Sequence, residues 1–339
     1  MRDLTLDTEG FVSVVSFHDR FGLPRPRADR ALYVFDDNTA RLFAGGEAAT
    51  AVMPAGEKAK SWASVELILE RALALGLTRS SVVVGVGGGV VCDVAAFAAS
   101  VYMRGCGLVL VPTTLLAMVD AAIGGKTGIN WGGYKNMVGS FRPAAEVHVC
   151  ADTLASLPER EYHSGLAEVI KTAALGDGEL FEILERERGR VLARDPALLA
   201  DVLRRCAAVK VRVVAEDLTE KGPRAWLNFG HTFAHALEAI TGMEEFAHGE
   251  AVAWGMARAM ELGVRVGVTD RRWAQRLAAM LAAYGFRTRV DGVDAGALLE
   301  AMGRDKKKRG GGLRFVLQED LCRTLVQEVD AFEVSAVIT

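Results

Sequence analysis

The 339-residue sequence lacks the cysteine pattern of a disulfide framework or of a thiolate metal site. Its five cysteines are an odd number, stand far apart in the chain and include no CxxC pair. They are Cys92, Cys106, Cys150, Cys206 and Cys322. Unpaired thiols of this kind are typical of proteins in a reducing compartment, so we expect a cytoplasmic protein.

Long apolar stretches are also missing. The chain contains no run of about 18 uncharged apolar residues, which is the length that a membrane-spanning helix needs. The first ten residues, MRDLTLDTEG, are charged and contain no apolar segment of the signal-peptide type. We therefore expect a soluble protein that is not exported and has no membrane partner.

A large excess of charge of either sign is lacking as well. Lysine and arginine total 40, aspartate and glutamate total 43, and the formal net charge is -3. Such a chain has no strong field to attract nucleic acid or an anionic membrane surface. If the protein binds a small anionic substrate, a local cluster of basic side chains must hold it.

What the sequence does contain is a change of pattern near its middle. The first half alternates short runs of β-branched residues, such as 31–35, with amphipathic stretches, such as 61–75, which predicts an α/β fold with a mainly parallel sheet. The second half is rich in Ala, Leu, Glu and Arg at helical spacing, as in 197–214. We predict an α/β domain over residues 1–155 and a mostly α-helical domain over 156–339.

A glycine-rich turn joins one predicted strand to a helix. Three glycines at 87–89 follow the apolar run 82–86 and precede the apolar stretch 90–101. Glycines let a backbone approach a pyrophosphate, and the amides at a helix start favour its negative charge. Val90 stands where the GxGxxG pattern has its last glycine, so a tight turn that binds nothing is the alternative.

Histidines cluster in the second half. Three of the chain's six, His231, His235 and His248, lie within eighteen positions, which suggests a metal site. Glu168 stands in a predicted helix with Lys171 one turn later. His231 and His235 are spaced i and i+4 on one helical face, so spacing alone favours them as a pair of ligands.

A succession of motifs indicates the family that the chain resembles. In chain order the motifs are GGGVVCDVAAFAASVYMRG, VPTTLLAMVDAAIGGKTGIN, YKNMVGSF, LPEREYHSGLAEVIK, LNFGHTFAHALE, HGEAVAWGM and GRDKKK. Over roughly residues 30 to 320, this order of motifs resembles the 3-dehydroquinate synthases, one family of the sugar phosphate cyclases. The resemblance implies an N-terminal NAD-binding α/β domain, a helical metal-binding C-terminal domain and a homodimer.

The resemblance also implies roles for individual residues. It assigns Glu168, His231 and His248 to a zinc or cobalt ion, and it directs His235 toward the substrate. The remaining substrate and catalytic residues that it implies are Arg104, Asp120, Lys126, Asn136, Lys171, Lys210, Arg224, Asn228 and Lys306. The residues that it places around NAD are Asp36, Asn38, Glu57, Lys60, Gly88, Gly89, Asp93, Thr113, Thr114, Lys135 and Ser156.

The same resemblance divides the mostly basic binding residues into two sets. Those around the substrate's phosphate would be Lys126, Asn136 and Lys306, with Arg104 contributed across a dimer, and those around its carboxylate would be Arg224 and Lys210. The implied substrate is therefore a small phosphorylated sugar acid.

The activity that the resemblance implies belongs to the shikimate pathway of aromatic amino acid biosynthesis. It converts 3-deoxy-D-arabino-heptulosonate 7-phosphate into 3-dehydroquinate and phosphate by transient oxidation with NAD, β-elimination, re-reduction and intramolecular aldol closure. Leu218 stands where an acidic residue is usual, so another cyclase, such as an amino-dehydroquinate synthase, is an alternative. A metal-dependent polyol dehydrogenase and a non-catalytic NAD-binding protein are further alternatives.

Overall fold

The structure is a computed structural model. It describes residues 3–8, 10–43, 49–242, 245–306 and 312–338, and for 304–306 it describes the backbone alone. The described helices, in chain order, are α1 (Asp37–Phe43), α2 (Trp62–Ala74), α3 (Gly89–Val101), α4 (Glu159–Gly176), α5 (Gly178–Arg186), α6 (Arg188–Leu192), α7 (Pro196–Glu216), α8 (His231–Thr241), α9 (His248–Arg265), α10 (Arg271–Ala283), α11 (Ala295–Lys306) and α12 (Ala331–Ser335).

Most of the described strands form one mainly parallel sheet. The strands are β1 (Leu4–Thr8), β2 (Phe11–His18), β3 (Ala31–Asp36), β4 (Thr50–Met53), β5 (Val82–Gly87), β6 (Gly107–Pro112), β7 (Lys126–Trp131), β8 (Tyr134–Phe141), β9 (Glu146–Cys150), β10 (Leu313–Asp320) and β11 (Arg323–Val329). The sheet has the order β1-β2-β9-β6-β5-β3-β4, and only β1 and β2 pair antiparallel within it. β7 pairs with β8, and β10 with β11, in two antiparallel hairpins.

The chain forms two compact units, each built from two segments. The first comprises Met1–Pro158 and Pro196–Thr219, and the second comprises Glu159–Asp195 and Glu220–Thr339. Helix α7 therefore belongs to the first unit, where it packs against β1. Helical periodicity reports that a helix forms but not which unit it packs against, and the predicted domains 1–155 and 156–339 stay a prediction.

The first unit has an α/β fold with a mainly parallel sheet, as the sequence predicted, and both faces of the sheet are covered. On one face of the sheet, aromatic and β-branched side chains from three neighbouring strands form a buried cluster: Tyr33, Phe35, Val84, Val86, Val109 and Val111. On the other face α3 packs against β5. A Cβ added to Gly85 would stand 3.0 Å from the Cβ of Ala95, so two small residues allow this close crossing. Burial on both faces explains why the strands are continuously apolar.

The second unit is mostly helical, which confirms the predicted C-terminal fold class. Helix α9 is its centre, and every residue from 251 to 260 is buried. A helix that is buried around its whole circumference must be covered on all sides, and α4, α8 and α10 pack against it. Among the described residues, none of the helices is both long enough and apolar enough to cross a membrane.

Candidate metal centre and nucleotide-binding edge

The predicted NAD-binding residues follow the carboxyl ends of neighbouring parallel strands. Asp36 ends β3, Gly88 follows β5, and Thr113 follows β6. β3 and β5 are adjacent, yet β4 lies beyond β3 on one side and β6 beyond β5 on the other. Open parallel sheets bind nucleotides in the crevice where the strand order reverses in this way. The sheet topology therefore favours a nucleotide site at this edge.

Glycines shape the turn at the start of α3. Gly88 is the residue before the helix, and a Cβ placed on it would stand 3.0 Å from Cγ2 of Thr114. The loop after β6 is tied to this turn, because the amide of Thr113 donates to the Gly87 carbonyl at 2.9 Å. The amides at the start of α3 can then approach a phosphate without interference from a β-carbon.

Charged side chains join the loop after β4 to α3 and β7. The Lys60 ammonium forms an ion pair with Asp93, and Lys60 is only 6 % exposed. Glu57 Oε1 accepts a hydrogen bond from Asn130 Nδ2 at 2.8 Å, and the Asn130 amide donates to the Lys60 carbonyl at 2.9 Å. The structure thus connects three of the predicted NAD residues, Glu57, Lys60 and Asp93, through one set of contacts that reaches α3 and β7.

Other predicted NAD residues have local hydrogen bonds of their own. Asp36 Oδ1 accepts from the amides of Asn38 and Thr39 at 3.1 and 2.8 Å, so this carboxylate caps the start of α1. Ser156 lies exposed in the turn after β9 and donates to a carbonyl three residues earlier, at 3.2 Å. Lys135 lies half-buried on β8. None of these contacts tests the predicted roles of these residues in NAD binding, which stay predictions.

Several predicted substrate residues also lie in the first unit. Lys126 is exposed at the start of β7, directly after two glycines with positive φ. Asn136 on β8 adopts a left-handed φ of 54° and its amide donates to Asn130 Oδ1 at 2.9 Å. Lys210 on α7 forms an ion pair with Asp120, which brings together two predicted residues ninety positions apart. Arg104 is exposed after α3.

The second unit contains a group of three potential metal ligands. Glu168 lies on α4, His231 is the first residue of α8 and His248 is the first of α9. Glu168 Oε1 stands 3.6 Å from His231 Nε2 and 3.4 Å from His248 Nε2, and the three ligand atoms lie within 4.8 Å of one another. Two atoms bound at about 2.1 Å to one tetrahedral ion stand about 3.4 Å apart. The spacing and the donor set therefore suit zinc.

Glycines in α9 allow the helices that carry these ligands to meet. A Cβ on Gly249 would stand 1.9 Å from the Ser164 carbonyl oxygen of α4, and one on Gly255 would stand 2.1 Å from the Gly230 oxygen. The Gly249 amide also donates to Ser164 Oγ at 2.9 Å. Ser164 precedes Glu168 by one turn, and Gly230 directly precedes His231. These two close approaches therefore set the positions of the ligands.

The second ring nitrogen of each ligand histidine has its own acceptor. His248 Nδ1 donates to Glu238 Oε1 at 3.1 Å, and His231 Nδ1 donates to the Phe229 carbonyl at 3.3 Å. Burial lowers the pKa of His231 well below its usual value, which favours the neutral, metal-binding ring. Burial also lowers the pKa of His248, but the hydrogen bonds to Glu168 and Glu238 outweigh this and raise it to about 9. A metal ion must therefore displace a proton from His248.

Two further predicted residues adjoin this group. Lys171 is 1 % exposed, and its Nζ stands 2.5 Å from Glu168 Oε2. His235 follows His231 by one turn with ring centroids 5.3 Å apart, yet its side chain is exposed and it does not belong to the group of three. The structure thus separates the i, i+4 pair that spacing alone favours, and groups His231 with His248 instead.

The remaining predicted residues of the second unit lie before α8 and on α11. Arg224 is 1 % exposed in the turn Pro223–Asn228. Asn228 ends that turn, and its Nδ2 donates to a carboxylate oxygen of Glu220. Lys306 ends α11, and its side chain lies outside the described residues.

Three polar residues of these sites were not among the sequence predictions: Asn130, Glu220 and Glu238. Asn130 ends the quoted motif VPTTLLAMVDAAIGGKTGIN, so its place in that motif was a usable signal, whereas Glu220 lies outside all the quoted motifs. Glu238 had a usable signal, because it stands seven residues after His231 and therefore on the same face of one helix. A carboxylate on the buried face of an apolar helix needs a partner.

Comparison with known proteins identifies the family. A model described as 3-dehydroquinate synthase N-terminal matches residues 50–164, and one described as 3-dehydroquinate synthase C-terminal matches residues 165–308. The chain belongs to the 3-dehydroquinate synthase family. Among its relatives, a 3-dehydroquinate synthase of Halorhodospira halophila (strain DSM 244 / SL1) is 43 % identical over 296 residues, which cover 86 % of this chain and 84 % of the relative. The resemblance that the motifs indicated is confirmed.

Solved structures share the fold over nearly the whole chain. The 2-epi-5-epi-valiolone synthase of Streptomyces hygroscopicus subsp. jinggangensis 5008, with NAD+ and Zn2+ bound, is 28 % identical with a TM-score of 0.87, covering 100 % of this chain and 97 % of that one. A 2-deoxy-scyllo-inosose synthase complexed with carbaglucose-6-phosphate, NAD+ and Co2+ has a TM-score of 0.88 at 24 % identity, covering 99 % of both chains. The second similarity, at that identity, is one of fold.

Proposed function

We propose that this chain catalyses the 3-dehydroquinate synthase reaction, the conversion of 3-deoxy-D-arabino-heptulosonate 7-phosphate into 3-dehydroquinate and phosphate. The enzyme is then a phosphate-eliminating carbon–oxygen lyase of the shikimate pathway. The observation that supports this most strongly is the group formed by Glu168, His231 and His248, found in a chain that both models of the family match.

A divalent metal, zinc or cobalt, is the first proposed cofactor. Glu168 Oε1 stands from each imidazole nitrogen at about the distance that separates two ligands of one tetrahedral ion, and three protein ligands would leave a fourth position for substrate oxygens. The ion, when bound, polarises substrate hydroxyls and lowers their pKa. Lys171, whose ammonium contacts Glu168, balances part of the negative charge of that carboxylate.

NAD is the second proposed cofactor. Its fit is supported by the glycine turn at the start of α3 and by the reversal of strand order between β3 and β5. The bound nucleotide supplies a hydride acceptor that is restored within each cycle. The residues that we assign to it are Asp36, Asn38, Glu57, Lys60, Gly88, Gly89, Asp93, Thr113, Thr114, Lys135 and Ser156. Among these, the Lys60–Asp93 ion pair holds the loop after β4 against α3.

The chain's own residues have two tasks toward the substrate: binding its anionic groups and moving protons. We assign the carboxylate of the substrate to Lys210 and Arg224, both of which are nearly buried. His235 and Lys171 are the proposed proton donors and acceptors, because one imidazole is exposed beside the metal group and one ammonium lies within it. Phosphate binding is assigned to Lys126, Asn136, Lys306 and Arg104.

A homodimer is the proposed assembly, and a cytoplasmic location follows from the thiol pattern. Large apolar side chains are exposed along the β7–β8 hairpin and at the end of α3, which packs against that hairpin. They are Met103, Trp131, Tyr134, Met137 and Phe141, each more than 40 % exposed. We call this set the hairpin patch. Large apolar side chains exposed in contiguous patches mark protein interfaces, and Arg104 directly follows Met103 in sequence.

One assay tests the proposed activity. The purified protein is incubated with 3-deoxy-D-arabino-heptulosonate 7-phosphate, NAD and zinc or cobalt, while free phosphate and nicotinamide absorbance are followed together. We expect stoichiometric phosphate without accumulation of NADH, because the hydride returns before product leaves. Growth of NADH absorbance without phosphate would support a polyol dehydrogenase. Phosphate release from the amino analogue alone would support an amino-dehydroquinate synthase, the alternative raised by Leu218.

A further inference from the structure

Glu238 is a buried carboxylate that the residue assignments above leave without a role in the reaction. It lies on α8, two turns after His231, and is 3 % exposed. Its Oε1 accepts the Nδ1 hydrogen of His248 at 3.1 Å. Burying a carboxylate is unfavourable unless charged or hydrogen-bonding partners compensate for the lost hydration. An apolar side chain would fill this position on α8 at lower cost, so the carboxylate calls for a chemical reason.

We propose that Glu238 is the positioning residue of the metal centre, which orients His248 and increases its affinity for the ion. An ionised carboxylate can only accept a hydrogen bond, so Glu238 keeps a proton on Nδ1 of His248, and the proton that a metal ion would displace is the one on Nε2. That nitrogen is the one that stands 3.4 Å from Glu168 Oε1. A carboxylate that accepts the second ring N–H of a metal-binding histidine fixes the orientation of the ring and makes the metal-binding nitrogen more basic.

The two ligand histidines are held by different kinds of acceptor. His231 donates to a backbone carbonyl, that of Phe229, whereas His248 donates to the Glu238 side chain. Helix α8 therefore carries one ligand at its first residue and the orienting group of the other ligand seven residues later. A substitution at Glu238 removes support from His248 and leaves the backbone acceptor of His231 in place.

The charge of Glu238 gives a second reason for a carboxylate. The Lys171 ammonium lies 2.5 Å from Glu168 and offsets the negative charge of that ligand. If a divalent ion is bound by two neutral imidazoles and by a carboxylate whose charge Lys171 already compensates, an excess of positive charge remains in the site. Glu238 reduces this excess through His248, so replacing it by glutamine keeps the acceptor oxygen but removes the compensation.

The test measures metal affinity directly, and the inference rests on the metal site of the proposed function. Metal-free protein is titrated with Co2+ by visible absorbance in competition with a chelator, for the wild type, Glu238→Gln, Glu238→Ala and His248→Ala. We expect affinity to fall about 10-fold in Glu238→Gln and about 100-fold in Glu238→Ala. Thermal unfolding of each metal-free variant is measured alongside, so that a fall in metal affinity is distinguished from a loss of folded protein.

The matched control is Glu261→Gln, which removes a carboxylate from the same helix as His248, where it pairs with Arg258. This variant should bind Co2+ as the wild type does. Binding by Glu238→Gln within twofold of the wild type overturns the inference, even if Glu238→Ala fails to fold. If His248→Ala also binds like the wild type, the metal site itself is misassigned and the proposed function loses its support. Loss in His248→Ala with retention in Glu238→Gln removes only the role of Glu238.

Discussion

At the scale of single residues, the position of a histidine on its helix does not decide its role. His231 and His235 share one face of α8, yet His231 and not His235 belongs with Glu168 and His248 to the group of potential metal ligands. The carboxylate and the second imidazole come from α4 and α9, so the packing of three helices selects which histidine is within reach. His235 keeps an exposed imidazole beside the group, which suits proton exchange with a bound substrate.

His235→Ala should therefore keep its metal and lose turnover. The expected rate loss is about 100-fold or more, the size typical of removing one general acid or base. Metal content is measured by mass spectrometry on the purified variant, and turnover by phosphate release. A variant that loses its metal would instead support the pairing of His231 with His235 that spacing alone favours.

Lys126 offers a test of the phosphate assignment. Its exposed ammonium follows two glycines at the start of β7, where a single cation can approach a leaving group. Lys126→Met keeps the stem and removes the charge, and we expect a loss of about 2 to 4 kcal/mol of transition-state stabilisation in kcat/KM with NAD and metal binding unchanged. The control is Lys308→Met, at a position outside the described residues. Equal losses in both variants would indicate general attraction of an anion.

At the scale of secondary-structure elements, the metal group depends on how closely α9 approaches its neighbours. Gly249 and Gly255 lie where a single β-carbon would overlap a backbone oxygen of another segment. Backbone atoms cannot move aside as a flexible side chain does, so the helices would have to separate. His231 and His248 are the first residues of their helices, and Glu168 lies one turn after the contact at Ser164. A separation of the helices would therefore change the distances between the three potential ligand atoms.

Gly255→Ala should lower both stability and metal affinity. The added Cβ would stand 2.1 Å from the Gly230 oxygen, and an overlap in a packed interior destabilises typically by about 1 to 3 kcal/mol. Denaturant unfolding and Co2+ titration measure the two effects. Gly189→Ala on α6 is the control, because nothing lies within 4 Å of its added Cβ, and we expect it to be neutral or slightly stabilising. Equal behaviour of the two variants would count against the packing argument.

At the scale of the whole molecule, the hairpin patch is a surface feature that the fold of one chain does not account for. Parallel strands of the main sheet are covered, whereas β7 and β8 form a separate two-stranded hairpin. An isolated hairpin of two strands is marginally stable in water without further packing. Helix α3 covers part of it, and a second copy of the chain is the proposed cover of the exposed apolar side chains.

Met137→Glu should shift the protein from dimer to monomer. Met137 is 55 % exposed on β8, and a carboxylate buried in an apolar interface would be left without compensation. Sedimentation velocity at several concentrations measures the change. Leu73→Glu on α2 introduces the same charge at a residue that is 67 % exposed outside the hairpin patch, so it should leave the dimer intact. A wild-type protein that sediments as a monomer would contradict the proposed assembly.

The sequence by itself determined the elements and the family. Glycines at 87–89, an apolar strand before them and an apolar helix after them follow from local sterics and periodicity, and the structure contains that strand, turn and helix as predicted. The ordered motifs were sufficient to indicate the family that the comparisons confirm. Residue types, their spacing along one element and the order of motifs are all properties of the linear sequence, so they can be recognised without a structure.

Only the tertiary structure decided which distant residues meet. The contact between His248 and Glu238, the placement of α7 in the first unit and the overlap that keeps Gly255 without a β-carbon each join segments from separate elements. Periodicity reports which face of a helix is apolar but not what covers that face. Those pairings depend on how helices and strands pack against one another, and packing is a property of the folded chain as a whole.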